Sequence, residues 1–374
     1  MTKQMMTKAL RTSLNVGELA AGQSLDVPLF TFKGIDSSAP TVYVQANVHG
    51  AEVQGNAVIY QLMTLLEELE VLGDIVLAPL ANPLGINQKS GEFTLGRFDP
   101  ITGVNWNREY LEHKIDIAAW YEQHQDLPND ELIKSFKATL IEACHTKLQQ
   151  PWGITTGHRL AVSLQSLAHQ ADIVLDLHTG PKSCKHLYCP EYDLDSAKFF
   201  SIPYSLIIPN SFGGAMDEAA FCPWWQLTDY AASKGRHFDV PVAAFTLELA
   251  SQERIDMADA LVDANGILAY LSHRGVIKQA IEPAKLSRYG CYLKDYKKFH
   301  APQSGMVEYC ATVGEPLAAG QSLVNMLRLD LYGSDKAVTP LSLDKDCVPI
   351  LHFASASVHQ GTELYKVMTN VFEL

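Results

Sequence analysis

Apolar, β-branched runs that alternate with helical periodicity leave this chain few folds to choose from. Thr41-Val42-Tyr43-Val44-Gln45-Ala46 reads as a buried strand over 41–48. Val53, Ala57, Leu62, Leu65, Leu66 and Leu69 then recur at helical spacing, which predicts a helix over 52–70. The alternation continues with strands over 75–80, 172–178, 186–190 and 242–248, the 172–178 strand ended by Thr179-Gly180-Pro181. Between them, helices are predicted over 110–126, from an Asp130 cap to about Leu148, over 158–170, over 226–235, and from Asp256 to about Ser272. Residues 1–38 suggest an entry strand or two on the sheet edge, and 202–225, rich in Gly, Pro and aromatics, suits a pocket wall. Parallel strands need crossover connections, so the expected class is α/β, a mainly parallel mixed sheet with helices on both faces. Past about 280 the helical period fades into short β runs between Gly and Pro, as in Gly305-Met306-Val307-Glu308-Tyr309. That predicts two domains, 1–280 and a small all-β domain over 281–374.

The 374 residues carry a formal net charge of −13, which argues against nucleic acid or an anionic membrane as partner. No apolar run is long enough for a membrane span, and Met1-Thr2-Lys3-Gln4-Met5-Met6-Thr7-Lys8 lacks the apolar core of a signal peptide, so a cytoplasmic location is expected. Seven scattered cysteines without a C-x-x-C pair indicate neither a disulfide framework nor a cysteine metal site.

Polar residues stand where the predicted strands stop. His49 ends the first, with Glu52 at the start of the following helix and Gly50 permitting the turn between them. His178 ends another, and Glu248 a third. In sheets of this kind ligands bind beyond the carboxyl ends of the strands. His49, Glu52 and His178 make two imidazoles and a carboxylate, the donor set of a catalytic zinc that keeps one position open. Asp176 shares a strand face with His178 and suits the carboxylate that fixes a ligand histidine's tautomer. Glu248 is placed to act as general base on water. Arg97 and Arg108 offer paired N–H donors for a carboxylate, and Asn107 a further hydrogen bond. The long unpatterned loop from Gly91 to Trp106 that carries Arg97 favours function over mere connection. For each of these residues the ordinary alternative is a hydrogen-bonded or ion-paired structural role. His145, His158, His169 and His186 are given no special part.

The order His49-Gly50-Ala51-Glu52, Asn82-Pro83, Arg97-Phe98, Asn107-Arg108, Asp176-Leu177-His178-Thr179-Gly180 and Thr246-Leu247-Glu248 resembles the succinylglutamate desuccinylase and aspartoacylase family, which has the zinc carboxypeptidase fold. The resemblance spans about 40–250 and implies an amidohydrolase that removes an acyl group from a small N-acyl amino acid. It implies one Zn2+ per chain on His49, Glu52 and His178, and Glu248 as base. It further implies Arg97 at the scissile carbonyl and Asn107 with Arg108 on the substrate carboxylate. The usual D-L-N-R reads Asn105-Trp106-Asn107-Arg108 here, so an acid is missing. The β-rich tail fits members that carry a C-terminal β domain over the pocket. Ser304-Gly305-Met306-Val307, Val313-Gly314 and Ala319-Gly320 also resemble lipoyl or biotinyl hairpins, with Lys336 at a tip and expected to be an ordinary exposed lysine. Two rivals remain open at this point: a metallocarboxypeptidase acting on peptide C-termini, and an inactive relative serving as an interaction module. A homo-oligomer is compatible with either.

Overall fold

The computed structural model describes residues 8–374, so Met1–Thr7, with the expectations that fall on it, lies outside the described residues. A ten-stranded mixed sheet forms the centre. In chain order its strands are β1 (Leu10–Glu18), β2 (Ser24–Phe32), β3 (Val42–Ala46), β4 (Ile75–Ala78), β5 (Ile173–Gly180), β6 (His186–Pro190), β7 (Tyr204–Ile208), β8 (Ala243–Ser251), β9 (Tyr289–Tyr292) and β10 (Phe372–Glu373). Across the sheet they run β1-β2-β4-β3-β5-β8-β6-β7-β9-β10. Pairing is parallel from β4 through β3 and β5 to β8, and again from β6 through β7 to β9. It is antiparallel at both edges and between β8 and β6.

Helices cover both faces: α1 (Gln54–Leu66), α2 (Ile117–His124), α3 (Asn129–Leu148), α4 (Thr156–Ala168), α5 (Met216–Ser233) and α6 (Met257–His273). Alternation along β3 divides the core. Val42 and Val44 pack with Val58, Leu62, Ile267 and Tyr270 of α1 and α6, while Tyr43 joins Trp120, Phe136, Leu160, Phe221 and Trp224 of α2 to α5. Both faces are covered, so β3, β5 and β7 are buried along their whole lengths and mostly apolar.

Some elements differ from the sequence expectation. The helix predicted over 110–126 is only Ile117–His124, because the Asp116 carboxylate caps it by accepting from Ala119 N–H at 3.0 Å. Upstream, Leu111 is held as extended chain by both polar atoms of the Gln165 amide. The stretch 202–225, expected as a pocket wall, folds as a buried strand, β7, and the first half of α5, and Phe212, Glu218, Cys222 and Pro223 line a small pocket. That helix starts ten residues before 226. Glu218 accepts from Gly213 and Ala215 N–H groups at 2.6 and 3.2 Å and so organises its first turn, and the helix tolerates Pro223 in its interior. β5 does not stop at His178 but runs on to Gly180.

The tail forms one four-stranded antiparallel sheet and three strands of a second, around its own core of Val307, Leu323, Val324, Met326, Leu364 and Tyr365. Chain exchange ties the two parts together. Tyr289–Tyr292 and Phe372–Glu373 extend the central sheet, and Lys182–Ser183 pairs with Val348–His352 in the tail. Lys336 is exposed in a turn. Among the described residues, no helix is long and apolar enough to cross a membrane.

Candidate metal centre

The turn after β3 is tight because of where it must pass. Asn47 takes a left-handed φ of 69°, and its amide closes the turn by donating to the carbonyls of His49 and Gly50 at 3.1 and 3.2 Å. A Cβ on Gly50 would stand 2.0 Å from the carbonyl oxygen of Gly85, and one on Gly96 would stand 2.1 Å from the same atom. Gly50 N–H donates to Gly96 O at 2.8 Å. This close stack of backbone brings the long loop, and with it Arg97, onto the His49 turn.

His49, Glu52 and His178 converge there, all buried, with ligand atoms within 4.8 Å of one another. Glu52 is the hub. Its Oε1 lies 2.9 Å from His49 Nδ1 and accepts from Arg97 Nη2 at 2.7 Å. Its Oε2 lies 2.8 Å from His178 Nδ1 and accepts from Thr179 N–H at 3.0 Å. The far ring nitrogens are engaged elsewhere, His178 Nε2 with Asp176 Oδ2 at 2.9 Å and His49 Nε2 with Asn105 Oδ1 at 2.7 Å. Both Nδ1 atoms are thereby turned toward one point. Burial pushes the Glu52 carboxyl up, but His49, Arg97 and the hydrogen bonds outweigh it and hold it well below the usual range. Burial also disfavours the charged imidazoles. It prevails at His49, whose pKa falls, and loses at His178, which Asp176 drives well above the ordinary value.

Parallel register sets Glu248 beside His178, and on the other side it faces His186 of β6. Glu248 Oε2 is shut off from solvent without a partner, and burial together with the charge of Glu52 raises the carboxyl to about 7. A carboxyl raised to that value changes protonation state near neutrality. Asn107 is buried with Oδ1 unpartnered, while Arg108 is exposed and donates to the Asn107 carbonyl. Neither is in hydrogen-bond contact with the three converging residues, although the charges of Arg108 and Glu248 both act on half-buried Tyr188.

Asn105, at the position where the D-L-N-R pattern has its acid, backs His49. The other supporting groups carry no sequence signal of their own. Gln45, level with Asp176 in the β3–β5 register, donates to Asp176 Oδ1 at 2.9 Å and links it to Tyr110 and Tyr43. His186 Nε2 is buried and unpartnered beside Glu248. Lys366, on the tail strand Glu363–Met368, has its pKa lowered by burial and feels the charges of Glu248 and Arg97, so the tail reaches the site. A second group, His113, Cys144 and His169, also brings ligand atoms within 4.8 Å. It lies between the 110–116 segment, α3 and the end of α4, and its two Nε2 atoms, 2.7 Å apart, share the Gln165 amide.

A profile of the succinylglutamate desuccinylase/aspartoacylase catalytic domain matches residues 38–274. A solved structure from Shewanella frigidimarina NCIMB 400 that bears that family name is 74% identical over 98% of this chain and 99% of its own, with a TM-score of 0.97. One from Shewanella amazonensis SB2B, of the same family name, is 69% identical over 97% and 100%, with a TM-score of 0.96. The product-bound ectoine utilization protein of Ruegeria pomeroyi shares the fold at 17% identity, over 99% and 98%, with a TM-score of 0.69. No curated protein matches the chain. The match across the whole catalytic region, with near-superposition on the two Shewanella structures, means that this chain belongs to the succinylglutamate desuccinylase/aspartoacylase family.

Proposed function

We propose that the chain is a cytoplasmic, zinc-dependent deacylase that hydrolyses the amide bond of a small N-acyl amino acid. One arrangement carries the reading: a buried carboxylate joining two Nδ1 atoms whose opposite nitrogens are already engaged, with the unpartnered Glu248 oxygen on the neighbouring strand. Two imidazole nitrogens and a carboxylate oxygen are the donors zinc accepts, so the residues fit one ion on His49, Glu52 and His178. Such an ion supplies Lewis acidity and a bound water acidified to a pKa of about 7.

Glu248 takes a proton from the attacking water and returns it to the leaving nitrogen. Arg97, half-buried against Glu52, neutralises charge that develops on the carbonyl oxygen. Asn107 and Arg108 hold the carboxylate of the amine half through a buried amide and a planar fork of donors. Asp176 and Asn105 keep each ring in the tautomer that presents Nδ1. Lys366 and the tail narrow the approach, which favours a small amide over a polypeptide, and no nucleic acid or membrane partner is invoked. Release of free amine from N-acyl amino acids by the zinc-loaded protein tests the reading. Glu248→Gln should keep its zinc and lose about 10²–10⁴ in rate. Near-normal turnover by that variant would place the base elsewhere.

A further inference from the structure

The segment from Phe93 to Asp99 inverts the usual burial pattern. Thr94 and Asp99 turn inward at 8% and 2% exposure, while Phe93, Leu95 and Phe98 stand out at 65%, 59% and 52%. The backbone is firmly anchored. Thr94 N–H donates to Glu253 at 2.6 Å, Gly96 O accepts from Gly50, and the Asp99 carboxylate accepts from Ile101 N–H and the Thr102 hydroxyl at 2.9 Å. A loop that fixes its polar side chains inside and its apolar ones in water carries a standing hydration cost, which contact with an apolar ligand relieves.

Those three side chains line one cleft of about 890 Å³ that has His49 and Arg97 in its wall, so it runs up to the metal centre. Pro100, Pro181 and Ala354 continue the apolar lining. Of the charged groups in it, Arg97 is committed to Glu52 and Glu253 to Thr94, while Glu92 and Lys182 are exposed. Pockets of several hundred cubic ångströms suit ligands far larger than an acetyl group. Neither Asn107 nor Arg108 lines the cleft, which assigns the amine half of a substrate to their side of the centre and the acyl half to this one.

We infer that the cleft is an acyl subsite, and that the preferred substrate is an N-acyl amino acid with a medium-length or long apolar acyl chain rather than acetyl or succinyl. The inference rests on the deacylase reading above. The reaction is plain hydrolysis: a C–O bond forms from water, the C–N bond breaks, and a proton goes to nitrogen, giving a fatty carboxylate and the free amino acid.

The test is kcat/KM for N-acetyl, N-succinyl, N-hexanoyl and N-dodecanoyl forms of one amino acid with the full zinc-loaded chain. We expect a rise of about fourfold per methylene as the chain enters the cleft. Phe93→Ala and Leu95→Ala should each lower the dodecanoyl-to-acetyl ratio about tenfold. Both side chains are mostly exposed, so truncating them does not threaten the fold, and the ratio is its own control for the amount of active enzyme. Preference for acetyl or succinyl, or a ratio that neither variant moves, would overturn the subsite while leaving the deacylase standing. Dimerisation abolished by Leu95→Asp with chain-length selectivity unchanged would also overturn it, by giving the rings to a second copy. Failure to hydrolyse any member would remove the deacylase reading and the subsite with it.

Discussion

Asn105 is where this chain departs from the D-L-N-R pattern of its family, and the structure shows what the departure touches. Asn105 Oδ1 lies 2.7 Å from His49 Nε2 and accepts from Asn107 N–H at 2.9 Å. The equivalent support of His178 is a carboxylate, Asp176 Oδ2 at 2.9 Å. An acceptor behind a ligand imidazole fixes the tautomer and raises its basicity, and losing it costs about 10–100-fold in metal affinity. A carboxylate forms a charge-assisted bond about twice as strong as a neutral amide does. Asn105→Asp should therefore tighten zinc binding by about tenfold, ~1.4 kcal/mol, while Asn105→Leu should loosen it by 10–100-fold, ~1.4–2.7 kcal/mol. The assay is competition for zinc against a fluorescent chelator at neutral pH, with thermal melts of the metal-free proteins as a check on folding. An aspartate variant no tighter than the parent, or a leucine variant that binds as well, would refute the claim that Asn105 tunes the centre through His49.

Other consequences can be checked directly. Elemental analysis should find about one zinc per chain, lost in His178→Ala and retained in His169→Ala; the reverse pattern would place the zinc on His113, Cys144 and His169 instead. Because the Glu248 carboxyl is raised to about 7 and works only when ionised, kcat/KM should rise with pH to a plateau above about 7. A folded-state pKa raised above the ordinary glutamate value of about 4.5 stabilises the metal-free protein fully below that value, and the contribution is lost as pH rises through about 7. Glu248→Gln should then melt higher than the parent at alkaline pH, by up to ~3 kcal/mol, and show no such gain at pH near 4. In Gly50→Ala the new Cβ meets Gly85 O at 2.0 Å, so urea melts should show a loss of about 3 kcal/mol together with weaker zinc binding.

What the sequence revealed and what it hid follow from the range of the forces involved. His49, Glu52, His178 and Glu248 were legible because each stands where an apolar period stops, and Asp176 because it shares a strand face with His178; parallel strands bring such ends to one edge of the sheet. The central strands were legible for the same reason. The start of α5 was not, since Gly213, Gly214 and Pro223 resemble loop while the Glu218 carboxylate and the packing of Phe221 and Trp224 impose helix. Nor was the joining of Tyr289–Tyr292 and Phe372–Glu373 to the central sheet, because short strands carry no mark of their partner.

Asn105, Gln45 and Lys366 come to the site through register, backbone contact and the fold of the tail, none of which has a period. The loop that carries Arg97 shows why this matters. Its position depends on three glycines, Gly50, Gly85 and Gly96, whose backbones approach too closely for a side chain on Gly50 or Gly96. That approach lets Arg97 reach Glu52 Oε1, so one carboxylate oxygen is shared by His49 and a guanidinium before any ion is considered. An ion held by His49, Glu52 and His178 would draw on the same carboxylate that Arg97 holds, and Arg97 also lines the cleft. Shortening that arm with Arg97→Lys, which keeps the charge but loses the fork, should accordingly depress kcat more than it weakens zinc binding. Parallel losses in both would mean that Arg97 only props Glu52.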